Sequence, residues 1–123
     1  MKNLNLISEE LFNKIRGRFP SVTIGDSEGK VTNVPEDARF FDFDYKEGDT
    51  SLGKVSISLS DEAVSVMYSD DFVSEQDEIT QSKWFNFLKE LRQFSKKRMM
   101  QFDTRNINKS NLDLRDYKFL ANN

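Results

Sequence analysis

Three successive segments of the chain alternate apolar and polar side chains, and only short turns separate them. The segments are residues 39–46, 54–60 and 63–69. Their apolar positions are Phe41, Phe43 and Tyr45, then Val55, Ile57 and Leu59, then Val64, Val66 and Tyr68. A period of two predicts β-strands with one apolar and one polar face. Because no connection is long enough for a crossover helix, we expect these strands to pair antiparallel as a meander.

Two other segments have apolar residues at the three- and four-residue spacing of an amphipathic helix. The first begins at Ser8, which we predict to be the N-cap, and its stop signals are Gly17 and Pro20. The second runs from about Glu78 to Phe102. Because the apolar face of the meander needs a cover, we expect the long second helix to lie on it.

The rest of the chain predicts shorter elements. Residues 21–24 and 30–32 flank a turn that contains two glycines, which predicts a hairpin before the meander. Ser110–Asp113 resembles a capping box and predicts a short last helix from Leu112 to Leu120. The sequence therefore predicts a single α+β domain over residues 1–123. It would be an antiparallel β-meander of four to five strands, covered on one face by a long C-terminal amphipathic helix, with a short N-terminal helix and a short last helix.

The composition excludes several kinds of active site. The chain contains no cysteine and no histidine, so thiol nucleophiles, Cys/His zinc sites and Ser–His–Asp triads are impossible. No apolar run approaches the roughly 20 residues that a membrane-spanning helix needs. We therefore expect a soluble, cytoplasmic protein without a membrane partner or a cofactor, and the sequence favours binding over catalysis.

The two parts of the sequence differ in charge. Residues 1–82 contain 8 basic and 17 acidic side chains, whereas residues 83–123 contain 10 basic and 4 acidic ones. Such an asymmetry indicates an interaction surface. On the long helix, Lys89, Arg92 and Lys96 are spaced to form one exposed stripe. The candidate residues for binding nucleic acid or a partner are Lys89, Arg92, Lys96, Lys97, Arg105 and Lys109.

Three interpretations of this basic region stay open. The cations can be a solvated face that balances the acidic sheet, and the helix dipole favours those in the last helical turn. They can bind nucleic-acid phosphates, although a formal net charge of −3 is unusual for a dedicated nucleic-acid binder. They can also bind an acidic protein or a second copy of the chain, in virion assembly or another protein–protein role.

A weaker pattern points to a metal ion. Asp42 and Asp44 alternate on one predicted strand, which places their carboxylates about 7 Å apart on one face. Asp44-Tyr45-Lys46 has the Asp-x-Lys form of metal-dependent nucleases, and Asp26 could supply a further carboxylate. A Mg²⁺-dependent nuclease is therefore a further alternative. A solvent-facing strand kept soluble by alternating charge explains the same residues.

Three stretches also carry a resemblance to a known group of proteins. They are residues 37–45 (Asp-Ala-Arg-Phe-Phe-Asp-Phe-Asp-Tyr), Trp84–Arg92 and Arg115–Leu120. In these stretches the chain resembles small uncharacterised proteins of tailed bacteriophages, especially marine ones. The resemblance implies a viral accessory protein made in the cytoplasm of a bacterial host. It carries no catalytic motif, so no functional residue can be transferred from it.

Overall fold

The computed structural model describes residues 3–47, 49–68 and 78–106. Their elements, in chain order, are helix α1 (Leu4–Arg18), strand β1 (Thr23–Gly25), a 3₁₀ helix (Pro35–Asp37), strands β2 (Phe40–Glu47), β3 (Thr50–Leu59) and β4 (Ala63–Tyr68), helix α2 (Glu78–Lys97) and strand β5 (Gln101–Asn106). The strands form one sheet in the order β1-β2-β3-β4-β5. The predicted α+β class is confirmed, whereas the last helix predicted from Leu112 to Leu120 lies outside the described residues.

Strands β1 to β4 form the predicted antiparallel meander. The register places Phe41 opposite Ile57, and Ile57 opposite Val66, so the apolar residues of neighbouring strands share one face. We call the opposite face the outer sheet face. One row of residues crosses it on all five strands: Thr23, Asp42, Ser56, Met67 and Arg105.

The hairpin predicted before the meander is reduced to a single bridge between Gly25 and Val31. Gly25 also lies opposite Phe40 of β2, so β1 pairs mainly with the meander. Its contacts with residues 30–32 include this bridge and a hydrogen bond from the Thr32 amide to the Ile24 carbonyl at 3.0 Å. A β1 of only three residues is too short to support a separate two-stranded hairpin in water.

Strand β5 contradicts the prediction that all strands pair antiparallel. It pairs in parallel with β4, with Val64 opposite Phe102 and Val66 opposite Thr104. The connection between the two strands contains α2, as parallel pairing requires. The long helix is therefore not the C-terminal element of the described chain. The alternation in β5 is only six residues long, and no glycine or proline separates it from the helical pattern. For that reason the sequence pattern extended the helix to Phe102.

Helix α2 ends in a left-handed residue that is not glycine. Met99 has a φ of 57°, a conformation that glycine usually adopts at this position. The Met100 amide donates to the Ser95 carbonyl at 2.9 Å, and the Met99 amide donates to the Lys96 carbonyl at 3.1 Å. These two bonds are those of a Schellman motif, which explains why the helix stops before β5.

We expect Met99→Gly to stabilise the fold. A non-glycine residue in the left-handed region costs roughly 1–2 kcal/mol, part of which the greater chain entropy of glycine offsets. Met99 is 87% exposed, so the substitution loses little burial. Urea unfolding should show a gain of about 0.5–1 kcal/mol. The matched control, Gln93→Gly at an exposed position inside the helix, should lose about 1 kcal/mol. A loss of stability in both variants would contradict the conclusion that Met99 strains the end of α2.

Helix α1 begins four residues before the predicted N-cap. Asn3 is the N-cap, and its Oδ1 accepts a hydrogen bond from the Leu6 amide at 3.1 Å. Ser8 is therefore inside the helix, where it is buried. The Ser8 hydroxyl donates toward two carbonyl oxygens, that of Pro35 at 2.6 Å and that of Ala38. These contacts attach α1 to the 3₁₀ helix that precedes β2.

Both helices pack on the apolar face of the sheet. Their residues in the common core are Ile7, Leu11 and Ile15 of α1 with Trp84, Phe87, Leu88, Leu91 and Phe94 of α2. Phe19, which follows α1, stacks on Phe43 with ring centroids 4.2 Å apart and meets Phe87 edge-on. The predicted cover is thus shared between two helices. Within the described residues, no helix combines the length and the apolarity that crossing a membrane requires.

Candidate nucleic-acid interface

The fold separates charge by layer. The helical layer, α1 and α2, contains eight basic and four acidic residues. The basic ones are Lys14, Arg16, Arg18, Lys83, Lys89, Arg92, Lys96 and Lys97, and the acidic ones are Glu9, Glu10, Glu78 and Glu90. The sheet layer, residues 19–47, 49–68 and 101–106, contains five basic and eleven acidic residues. The charge boundary predicted at residue 82 is therefore only part of the arrangement, because α1 adds three cations to the basic layer.

Two acidic residues of the helical layer form ion pairs between the helices. Glu90 accepts a hydrogen bond from Arg18 at 2.8 Å, and Glu10 pairs with Arg98, the first residue after α2. Because the end of α1 meets the middle of α2, and the middle of α1 meets the end of α2, the helices run antiparallel. The Arg98 guanidinium also stacks on the Phe94 ring, 3.5 Å from its centroid. These carboxylates therefore lie in the seam between the helices.

Three of the six predicted binding residues lie on one side of α2. Lys89 and Lys96 are exposed, and Arg92 is half-buried. Arg92 and Lys96 line an open concavity of about 600 Å³ whose other wall is residues 99–103. Lys97 is also exposed, one position further round the helix. Two of the three residues predicted to form an exposed stripe are therefore exposed, and Arg92 and Lys96 lie beside the start of β5.

The other two candidates do not join this side of α2. Arg105 lies opposite Met67 on the outer sheet face, whereas the helices pack on the inner face. Lys109 lies outside the described residues. The charge count along the sequence grouped Arg105 with the cations of the helix, because a count of charges does not detect which face of a strand a residue occupies.

Two amide residues of α2 and two cations of α1 were missed by the sequence reasoning. Asn86 and Gln93 are exposed, and their spacing places them with Lys89 on one side of α2. We call Asn86, Lys89, Gln93 and Lys96 the outward face of α2. Lys14 and Arg16 of α1 are exposed on the same layer. The amides could have been found by continuing the three- and four-residue spacing from Lys89 in both directions.

Asp26, a candidate metal ligand, has a structural role. Its Oδ1 accepts hydrogen bonds from the Glu28 amide at 2.9 Å and the Lys30 amide at 3.0 Å. A carboxylate that caps its own turn in this way is a common loop stabiliser. Asp26 follows the residue opposite Phe40, so it lies beyond the start of β2. The structure therefore does not bring it together with the carboxylates further along that strand.

Asp42 and Asp44 share the outer sheet face, as predicted from their alternation. They line an open concavity of about 600 Å³ with Lys46 and Lys54. Asp44 lies opposite Lys54 on β3, a cross-strand pair of opposite charge. Within residues 3–47, 49–68 and 78–106, no group of three or more acidic side chains is placed to hold a metal ion.

The comparisons with known proteins give no further assignment. No protein-family model matches this chain, and no curated protein or solved structure is significantly similar to it. The function must be inferred from the surface chemistry. The outward face of α2 combines cations with amide donors and acceptors, a set of groups that suits contacts with phosphates and with base edges.

Proposed function

We propose that this protein is a non-enzymatic binding module that contacts nucleic acid through the outward face of α2. The observation that carries the proposal is the placement of the charges. Lys89 and Lys96 are exposed on one side of the helix, whereas Glu10 and Glu90 pair with arginines in the seam between the helices. Cations placed in this way can displace counterions from the phosphate backbone.

The arrangement favours backbone contact over sequence reading. Lysine ammonium groups on flexible stems act as point charges and do not recognise a base in a fixed geometry. Asn86 and Gln93 can add hydrogen bonds to phosphates or to base edges. For two to four phosphate contacts, we expect the logarithm of the binding constant to fall with the logarithm of salt concentration with a slope of about −2 to −4.

We expect Lys89→Glu with Lys96→Glu to weaken nucleic-acid binding at least tenfold and to make the salt slope shallower by about 2. Fluorescence anisotropy with labelled duplex and single-stranded oligonucleotides measures both quantities. The matched control is Lys30→Glu with Lys46→Glu, which makes the same change in net charge on exposed residues of the sheet layer. This control should retain most of the affinity, because its lysines lie outside the helical layer.

Two outcomes would contradict the proposal. The first is an absence of binding by the unaltered protein at low salt, where backbone contacts are strongest. The second is an equal loss of affinity in both double variants, because that would show a response to net charge rather than to the outward face of α2.

We also propose that this module belongs to a tailed bacteriophage. The support is the resemblance carried by residues 37–45, Trp84–Arg92 and Arg115–Leu120. An accessory phage protein that binds nucleic acid would be made in the host cytoplasm. Genes for phage replication or virion assembly beside its own gene are the expected observation, and a chromosomal operon without phage genes would contradict the assignment.

A further inference from the structure

We propose that β5 pairs antiparallel with the β5 strand of a second copy, about a twofold axis at Thr104. The two five-stranded sheets would then form one continuous sheet. This inference goes beyond nucleic-acid binding and does not depend on it. It is carried by the position of β5 at the end of the sheet of described strands, by the order of charges along β5 and by the surroundings of the Thr104 hydroxyl.

The edge of the sheet at β5 offers backbone groups for pairing. β5 is the last strand in the sheet order, and within the described residues no strand lies beyond it. An edge strand presents a row of N–H and C=O groups to its surroundings. The opposite edge is β1, which has only three residues. With six residues, β5 is the edge that can support a new ladder.

The charges on β5 are complementary to those of a second β5 in one register. Asp103 and Arg105 are both exposed on the outer sheet face, on either side of Thr104. In an antiparallel pair centred on Thr104, Asp103 lies opposite Arg105 of the second copy, and the converse pair forms on the other side of the axis. Opposite charges directly across a strand pair stabilise it, and like charges destabilise it. A register centred on Asp103 or on Arg105 would place like charges opposite each other.

The Thr104 hydroxyl also fits this arrangement. Thr104 is 2% exposed, and its Oγ1 has no hydrogen-bond partner in the described structure. A buried polar group without a partner is unfavourable. On the proposed axis, Thr104 lies directly opposite its copy, and a rotation of each side chain about χ1 toward the strand edge would let the two hydroxyls hydrogen-bond each other. One hydroxyl would donate and the other would accept.

Charged residues on an edge strand are normally a protection against pairing. With Asp103 and Arg105 on either side of Thr104, most other strands would not place opposite charges across from both residues. A second β5 that runs antiparallel does. Arg92 and Lys96 lie beside the same edge, so two copies would bring these cations near each other. The dimer is therefore best measured at about 0.15 M salt, where charges more than about 8 Å apart are largely screened.

The test is the oligomeric state without nucleic acid, by sedimentation equilibrium from about 1 µM to about 1 mM protein, a range that covers weak association. We expect a monomer–dimer equilibrium for the unaltered chain. Asp103→Arg alone and Arg105→Asp alone should each weaken dimerisation at least tenfold, because each places like charges opposite each other. An equimolar mixture of the two variants should restore dimers, since each supplies the charge that the other lacks.

Thr104→Val gives a second readout that a structural role in the monomer would not reproduce. It should weaken the dimer and raise the unfolding temperature of the monomer, because it removes a buried hydroxyl without a partner. A chain that stays monomeric at the highest concentration would overturn the proposal. Charge variants that dimerise like the unaltered chain, or a mixture that fails to restore dimers, would also overturn it. None of these outcomes bears on nucleic-acid binding.

Discussion

Trp84→Ala is expected to lower the free energy of unfolding by about 3–5 kcal/mol, the range for truncating a large buried ring. Trp84 is 1% exposed. Its ring meets those of Tyr45 and Tyr68 edge-on, with centroids 5.5 Å apart in both pairs, and it lies 5.9 Å from Phe87. The indole therefore connects α2 to β2 and β4. The two tyrosine rings are held by the sheet, which limits how far the cavity left by the substitution can close.

Urea unfolding followed by circular dichroism measures this loss. Small domains have a total stability of about 5–15 kcal/mol, so Trp84→Phe is a useful graded variant, with a smaller loss because a ring remains. Lys89→Ala on the outward face of α2 is the surface control and should change stability by no more than about 0.5 kcal/mol. A loss below about 1 kcal/mol for Trp84→Ala would show that α2 does not pack on the sheet through this residue.

Thr104→Asp is expected to lower the free energy of unfolding by about 3 kcal/mol or more. In β5, Thr104 lies on the inner face opposite Val66, where a carboxylate would be buried without a cation to pair with. If residues 103–106 were a solvated polar segment instead of a strand, the same substitution would be close to neutral. The substitution therefore distinguishes a parallel β5 from a solvated segment.

The matched control for Thr104→Asp is Gln101→Asp. Gln101 is exposed and lies opposite Ala63 on the same strand pair, so a carboxylate there stays in water. Its effect should stay within about 0.5 kcal/mol. Equal effects at the two positions would contradict the alternation of β5, and with it the parallel pairing to β4.

The meander could be predicted because its physical signal is local. Alternation of Phe41, Phe43 and Tyr45 with charged residues requires one buried and one solvated face, and short turns leave only antiparallel pairing. The apolar spacing around Trp84 and Leu91 likewise requires a helix with one buried side. Neither inference needs any knowledge of distant parts of the chain.

The parallel strand and the helix ends depend on contacts that the pattern does not contain. Met99 adopts a conformation that is usually left to glycine, so the end of α2 had no recognisable stop signal. Ser8 satisfies the rule for an N-cap, but its hydroxyl turns to carbonyl oxygens about thirty positions further along the sequence. Tertiary hydrogen bonds thus replaced the local one that the sequence indicated.

The candidate surface could be predicted only in part, because some of its residues are placed by local spacing and others by tertiary contacts. The spacing of Lys89, Arg92 and Lys96 fixes their side of a helix, and Arg92 and Lys96 line a concavity with the start of β5. Arg105 was misplaced because its strand was missed. The pairing of Glu10 with Arg98 could not be foreseen, since it depends on how the two helices lie against each other.

Cations of the helical layer, and not the outer sheet face, are proposed to bind nucleic acid. Amide chemical shifts of the labelled protein, titrated with a short duplex at about 0.05 M salt where backbone contacts are strong, test this claim most directly. We predict that the largest changes occur at Asn86, Lys89, Gln93 and Lys96, and that Lys46 and Lys54 on the outer sheet face do not respond. Changes centred on Lys46 and Lys54, or no change at any residue, would contradict the claim.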